Sequence, residues 1–121
     1  MNETFLFDTY AILEIIEGNA NYKDYVDKEI IINDFIFSEL CFILIRNKYP
    51  NPERYLEKYS KQIVHAKPDV IKEAMNFRYN NKQRNLSSTD CISYFMAKDL
   101  GIKFLTGDKE FSNFENVEFI K

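Results

Sequence analysis

An α/β fold with a mainly parallel central sheet flanked by helices is what this 121-residue sequence predicts, on three observations. Short apolar runs alternate with helical patterns along most of the chain, the signature of strand–helix units. Both early strands run straight into a helix, at Asp8 and at Asn33-Asp34, and parallel strands need such crossovers. Hydrophobic residues make up 45% of the chain, enough for the core of one domain over residues 1–121, and neither linker nor repeat divides it.

Thr4 to Phe7 reads as a short buried strand. Asp8 opens a helix over Tyr10 to Glu17, which Gly18 closes at the C′ position, where a left-handed backbone favours glycine. The isoleucine run within Glu29 to Asn33 forms a second strand, and Asn33 or Asp34 caps a helix reaching Lys48. Asn51-Pro52 starts a short helix through about Ser60, and Pro68-Asp69 starts another through Arg78. Between them, Gln62 to His65 reads as strand or loop. Ser87, Ser88 and Thr89 cap a helix to Leu100, ended by Gly101. Ile102 to Thr106 and Val117 to Ile120 supply two last strands around the Gly107-Asp108 turn and a short helical turn.

Several chemistries are disfavoured at once. His65 is the single histidine, and Cys41 and Cys91 both lie in apolar helical patterns, so a zinc site of nitrogen and sulfur ligands is not expected. The two cysteines are expected to be free, although the sequence leaves a disulfide open. No Gly-rich phosphate loop and no Ser-His-Asp arrangement is present. The segment Met1-Asn2-Glu3-Thr4 is acidic and does not read as a signal peptide, while the apolar run Phe35 to Ile45 is too short to cross a bilayer. A cytoplasmic location without membrane association is therefore expected. A net charge of −3 argues against indiscriminate nucleic-acid binding but says nothing of local patches.

Four carboxylates stand where a charge needs a reason. Glu39 has Phe35, Ile36, Phe42 and Ile43 three and four residues away, which places it on an apolar helical stripe where a lone charge would cost several kcal/mol. Asp8 follows the first strand and Asp108 a later one, on the strand edge where ligands of parallel sheets gather. Asp90 lies in the first turn of its helix, with Ser93 and Ala97 leaving space on the same edge. Taken singly, Asp8 could be a helix cap, Asp90 a first-turn acid and Asp108 a turn residue. One convergent reading covers all four: oxygen-only ligands suit a hard dication such as Mg²⁺ or Mn²⁺, which offsets the repulsion of gathered acids.

At this point the chain resembles a PIN domain, the fold of the VapC-type ribonuclease toxins, over nearly all its length. The matching pieces are Phe5-Leu6-Phe7-Asp8-Thr9, Phe37-Ser38-Glu39-Leu40, Ser88-Thr89-Asp90-Cys91-Ile92 and Leu105-Thr106-Gly107-Asp108-Lys109-Glu110-Phe111, in that order. The resemblance implies a three-layer PIN-like fold and a metal-dependent endoribonuclease, the toxin of a type II toxin–antitoxin pair. It implies that Asp8, Asp90 and Asp108 bind Mg²⁺ or Mn²⁺ and that Glu39 completes the acidic pocket or holds a second ion or its water. Glu110 is an accessory acid by the same resemblance. Thr9 and Thr106 would orient water or a carboxylate, or are ordinary strand-end threonines. Two departures bear on substrate fit and dimer packing: Tyr10 where relatives often carry a small hydroxyl residue, and Tyr94-Phe95 where small alanines are frequent.

RNA is the substrate class the resemblance implies. Arg78, Lys82 and Arg84, with Tyr79 among them, offer backbone and stacking contacts beside the Asp90 helix, or form a solvated loop. Arg46, Lys48 and Arg54 form a second basic patch. Tyr49, Tyr55 and Tyr59 are core edges or a contact face for a VapB-type antitoxin or a second copy of the chain. A homodimer is expected from the resemblance. Two rivals stand beside the nuclease reading: a catalytically silent PIN-like binding module, and a phospho-accepting receiver-like domain. The receiver would need an acidic pair beside Asp8, and a dehalogenase-like phosphatase would need an Asp where Tyr10 stands.

Overall fold

The structure, a computed structural model, describes residues 3–121, so the segment Met1 to Thr4 falls partly outside the described residues. Four strands, β1 (Thr4–Phe7), β2 (Glu29–Ile31), β3 (Lys103–Thr106) and β4 (Val117–Phe119), form one sheet in the order β2-β1-β3-β4. The expected mainly parallel sheet is parallel at every pairing. Among the described residues five α-helices accompany it: α1 (Thr9–Ile16), α2 (Asp34–Arg46), α3 (Pro52–Ser60), α4 (Pro68–Asn80) and α5 (Ser88–Leu100).

β1 is central, and its Phe5, Leu6 and Phe7 are all buried, as a strand covered on both faces must be. Both α1 and α5 pack on β1 and β3, and right-handed crossovers put them on opposite faces, because β1 leads sideways to β2 and the chain then crosses back to β3. That reversal makes the carboxyl ends of β1 and β3 a topological switch point, where a crevice opens between diverging connections. α2 packs on α1 and α3, while α4 packs on α5.

Capping chemistry fixes the helix starts. Asp8 Oδ1 accepts from the Ala11 N–H at 2.7 Å, and Ser87 Oγ accepts from the Asp90 N–H at 3.0 Å. Asn33 rather than Asp34 caps α2, accepting from the Ile36 N–H at 2.9 Å, while its amide donates to Ser93 Oγ at 3.1 Å. This fully buried asparagine therefore ties the start of α2 to α5. Gly18 and Gly101 take the left-handed conformations expected after α1 and α5.

One segment goes beyond the sequence reading, and two alternatives that it left open are resolved. A 3₁₀ segment at Ala20–Tyr25 had no periodic signature to announce it. Gln62 to His65 contributes a single bridge, Ile63 to Ile32, rather than a strand. Tyr59 belongs to the core, Tyr49 bonds to Glu17 at 3.0 Å, and the exposed aromatic and aliphatic side chains of α2 are instead Phe35, Phe42 and Ile45. Cys41 and Cys91 are free, and no helix among the described residues is long and apolar enough to cross a membrane.

Candidate active site

Asp8, Thr9, Tyr10, Glu39, Asp90, Gly107, Asp108 and Lys121 line one cleft of about 290 Å³ at the switch point. The folding logic of each acid is local. Asp8 directly follows β1, and its N–H extends the ladder by donating to Leu105 O at 3.1 Å, so its position is pinned to β3. Asp108 comes two residues after β3, where its N–H donates to Thr106 Oγ1 at 3.0 Å and its Oδ1 accepts from the Glu110 N–H at 3.0 Å. Asp90 sits in the first turn of α5, and Glu39 on α2, the two helices that Asn33 joins.

Both threonines act on carboxylates. The Thr106 hydroxyl donates to Asp8 Oδ2, and Thr9 Oγ1 donates to Glu39 Oε1 at 2.6 Å. Asp8 thus has one bond on each oxygen, leaving further lone pairs on both.

Electrostatics show an unneutralised cluster. Burial, set against the bonds from Thr106 and Ala11 and reinforced by the charges of Asp108 and Glu39, lifts the Asp8 carboxyl from 3.8 to about 7. Asp90 is lifted to about 7 by burial first, then by repulsion from Asp8, Asp108 and Glu39. Among the described residues none of the four acids is in an ion pair. Lys121 lines the cleft, with its ammonium 5.6 Å from the centre of the Tyr10 ring.

A hard cation fits this donor set in chemistry but not as a tight cage. All four side chains are oxygen donors, and burial raises the proton affinity of Asp8 and Asp90, so a cation bound there competes with protons. Yet among the described residues no three His, Cys, Asp or Glu side chains are gathered closely enough to hold an ion directly. Mg²⁺ dehydrates reluctantly and is commonly held by one or two carboxylates through its waters, so an open acidic cleft suits a hydrated ion.

Two readings of the surroundings are corrected. Glu39 lies on a stripe that is only partly buried: Ile36 is fully buried, whereas Phe35 and Phe42 are 40% and 63% exposed, and the Thr9 hydroxyl donates to the carboxylate. Ser93 and Ala97 leave no space before Asp90, because both are fully buried and Ser93 bonds to Asn33.

Of the accessory candidates, Glu110 does not line the cleft; its Oε1 accepts from Arg84 Nε at 2.9 Å. Arg78, Lys82 and Arg84 line a separate groove. Sequence reasoning missed Gly107, Lys121 and the bridging role of Asn33. Gly107 must lack a side chain because a Cβ there would overlap the Tyr10 ring. Lys121 had a signal: the residue after Ile120 leaves β4 at the same carboxyl edge as Asp8 and Asp108.

Comparison with known proteins agrees with this architecture. A family model described as PIN domain matches residues 5–117. A toxin–antitoxin complex from Klebsiella pneumoniae contains a chain with 20% identity and a TM-score of 0.77, with 93% of this chain and 94% of that one covered. VapC20 from Mycobacterium tuberculosis, described as a sarcin-ricin loop cleaving toxin, has 18% identity, a TM-score of 0.74 and coverage of 97% and 99%. VapBC2 from Rickettsia felis, bound to a DNA fragment from its promoter, has 14% identity, a TM-score of 0.75 and coverage of 98% and 99%. At these identities the likeness is one of fold. No curated protein matches the sequence.

Proposed function

The chain belongs to the PIN domain family, and from that premise we propose that it is a metal-dependent endoribonuclease, the toxin of a type II toxin–antitoxin pair. The observation that carries this reading is the convergence of Asp8, Glu39, Asp90 and Asp108 on one cleft at the switch point, with no ion pair neutralising them among the described residues. Asp8, Asp90 and Asp108, with Glu39, would hold Mg²⁺ or Mn²⁺. Bound there, such an ion lowers the pKa of a water and offsets negative charge developing at phosphorus. The chain's own groups prepare for this. Thr106 fixes one oxygen of Asp8, and the Ala11 N–H fixes the other. Thr9 holds Glu39 toward the cleft from the start of α1.

RNA as substrate is supported by the likeness to VapC20, a toxin that cleaves the sarcin-ricin loop, and an antitoxin partner by the two similar toxin–antitoxin assemblies. The exposed Phe35, Phe42 and Ile45 of α2 give a VapB-type antitoxin or a second copy of the chain an apolar face to cover. A cytoplasmic homodimer fits this reading. A second reading, a catalytically silent PIN-like binding module, is favoured by the presence of Lys121 in the cleft and by the absence of a tight cage among the described residues.

Cleavage of a mixed RNA pool separates them. With Mg²⁺ or Mn²⁺ the protein is expected to cut, and a chelator or Asp90→Asn to reduce the rate at least about a hundredfold, beyond the 10–100-fold typical of losing a residue that only orients a ligand. Identical products under all three conditions would remove the nuclease reading.

A further inference from the structure

We propose that the groove between the end of α4 and the start of α5 holds the single-stranded RNA segment next to the scissile phosphate, with Tyr79 as a base-stacking platform and Arg78 and Lys82 as phosphate contacts. This inference rests on the ribonuclease reading above. A groove of about 300 Å³ is lined by Met75, Arg78, Tyr79, Lys82, Arg84 and Leu86, and none of these is acidic. Tyr79 is 67% exposed, and the Lys82 ammonium sits over it, 4.6 Å from its ring centre. A large ring left open beside cations is the arrangement that receives an unstacked base, since every base has a π-face and every nucleotide a phosphate.

The walls are pre-set by contacts that need no ligand. Arg78 Nε donates to Leu86 O at 3.0 Å, which fixes its guanidinium while leaving the terminal nitrogens for a phosphate. Arg84 is held by Glu110 and by the Phe114 ring, 5.2 Å from its guanidinium carbon, so it serves as a wall rather than as a free charge. Among the described residues neither Arg78 nor Lys82 is in an ion pair.

The groove is separate from the acidic cleft, but its wall is bonded to the cleft's. Glu110, which Arg84 holds, donates its own N–H to Asp108 at 3.0 Å, and Ser87, next after Leu86, caps the turn that carries Asp90. A cleft lined by four carboxylates repels a polyanion, and the chain's net charge is −3, so recruitment must come from a local basic surface. This groove lies one bonded residue from the cleft.

The test measures binding of a fluorescent single-stranded RNA oligonucleotide at several salt concentrations, in an Asp90→Asn background that prevents cleavage. Tyr79→Ala is expected to weaken binding about tenfold, within the range for losing one base–aromatic stack. Lys82→Gln should weaken it and reduce the salt slope by about 0.7. Lys72→Gln, on the first half of α4 where Lys72 faces Asp69 at 4.0 Å, should leave binding unchanged. Ultraviolet cross-linking of a 4-thiouridine oligonucleotide should map to the peptide containing Tyr79. If the protein with its native cleft cleaves RNA while Tyr79→Ala and Lys82→Gln bind as tightly as their parent, the groove proposal alone falls. If it neither cleaves nor binds RNA, both readings fall. Tyr79-dependent binding of a polyglutamate peptide in preference to RNA would overturn the groove's assignment in favour of an acidic protein partner.

Discussion

Asp8→Asn is expected to abolish metal-dependent cleavage, by at least about a hundredfold, while making the metal-free protein more stable at neutral pH. The two effects have one origin. Asp8 is 4% exposed, and its carboxyl is lifted from 3.8 to about 7, so ionising it in the fold costs on the order of 2–4 kcal/mol relative to the unfolded chain. An asparagine of the same shape removes that cost and keeps the cap to the Ala11 N–H. Part of the gain is lost at Thr106, whose hydroxyl now donates to Asp8 and already accepts from the Asp108 N–H. Facing an amide it would have to accept twice and find another acceptor for its proton. The net expectation is a gain of about 2 kcal/mol and a rise in Tm of roughly 5–10 °C by thermal denaturation in chelator. A substitution that stabilises the fold and destroys the activity identifies a group kept for function against stability. Destabilisation of the metal-free protein by more than about 1 kcal/mol would mean that the bonds from Thr106 and Ala11 outweigh the cost of burying the Asp8 carboxylate, and that the acid is kept for stability.

The second large effect is the dependence of stability on pH. Asp8 and Asp90 both have folded-state values near 7 against an unfolded value of 3.8, so between about pH 4 and 7 the unfolded chain has released protons that the fold retains. Stability contributed by these groups is therefore greatest below about pH 4 and is lost as pH rises through 7, by up to about 1.4 kcal/mol per pH unit for each group. The two sites interact, so the midpoints belong to the cluster rather than to either residue. Other carboxylates also titrate in this range, and the curve to read is the difference between the native sequence and Asp8→Asn in chelator. That difference should grow from about pH 4 to 7 and then level off. Saturating Mn²⁺ should reverse it, because a ligand of the folded state alone stabilises by mass action and competes with protons for the same oxygens. A difference curve flat over this range would show that burial does not hold the Asp8 carboxyl above its ordinary range in solution.

How much of this was legible in the sequence depends on whether the cause was local. β1 and its Asp8, the capped start of α5 and the glycine ends of α1 and α5 all follow from nearest-neighbour chemistry, and they stand where the pattern puts them. So does the carboxyl-edge position of Asp8 and Asp108, because parallel topology alone decides which edge a residue after a strand occupies. Glu39 was found for a reason that holds only in part, since Ile36 beside it is buried but Phe35 and Phe42 are not. α2 carries apolar residues around most of its circumference, so periodicity could not say which face is buried, and Phe35, Phe42 and Ile45 proved to be exposed. Asn33 shows the opposite failure. Its cap is local and readable, whereas its bond to Ser93, sixty residues away, is a tertiary event with no periodic trace. The pairing of Glu110 with Arg84, twenty-six residues apart, is of the same kind.

The central claim is that separate acids act as one dication site, and direct titration of Mn²⁺, followed by the loss of the free-ion paramagnetic resonance signal, tests it without reference to catalysis. The native sequence should bind Mn²⁺ at pH 7.5, and Asp8→Asn, Asp90→Asn and Asp108→Asn should each weaken binding by at least about tenfold, with Mg²⁺ competing for the same site. Equal binding by the native chain and all three variants, or no binding by any, would contradict it.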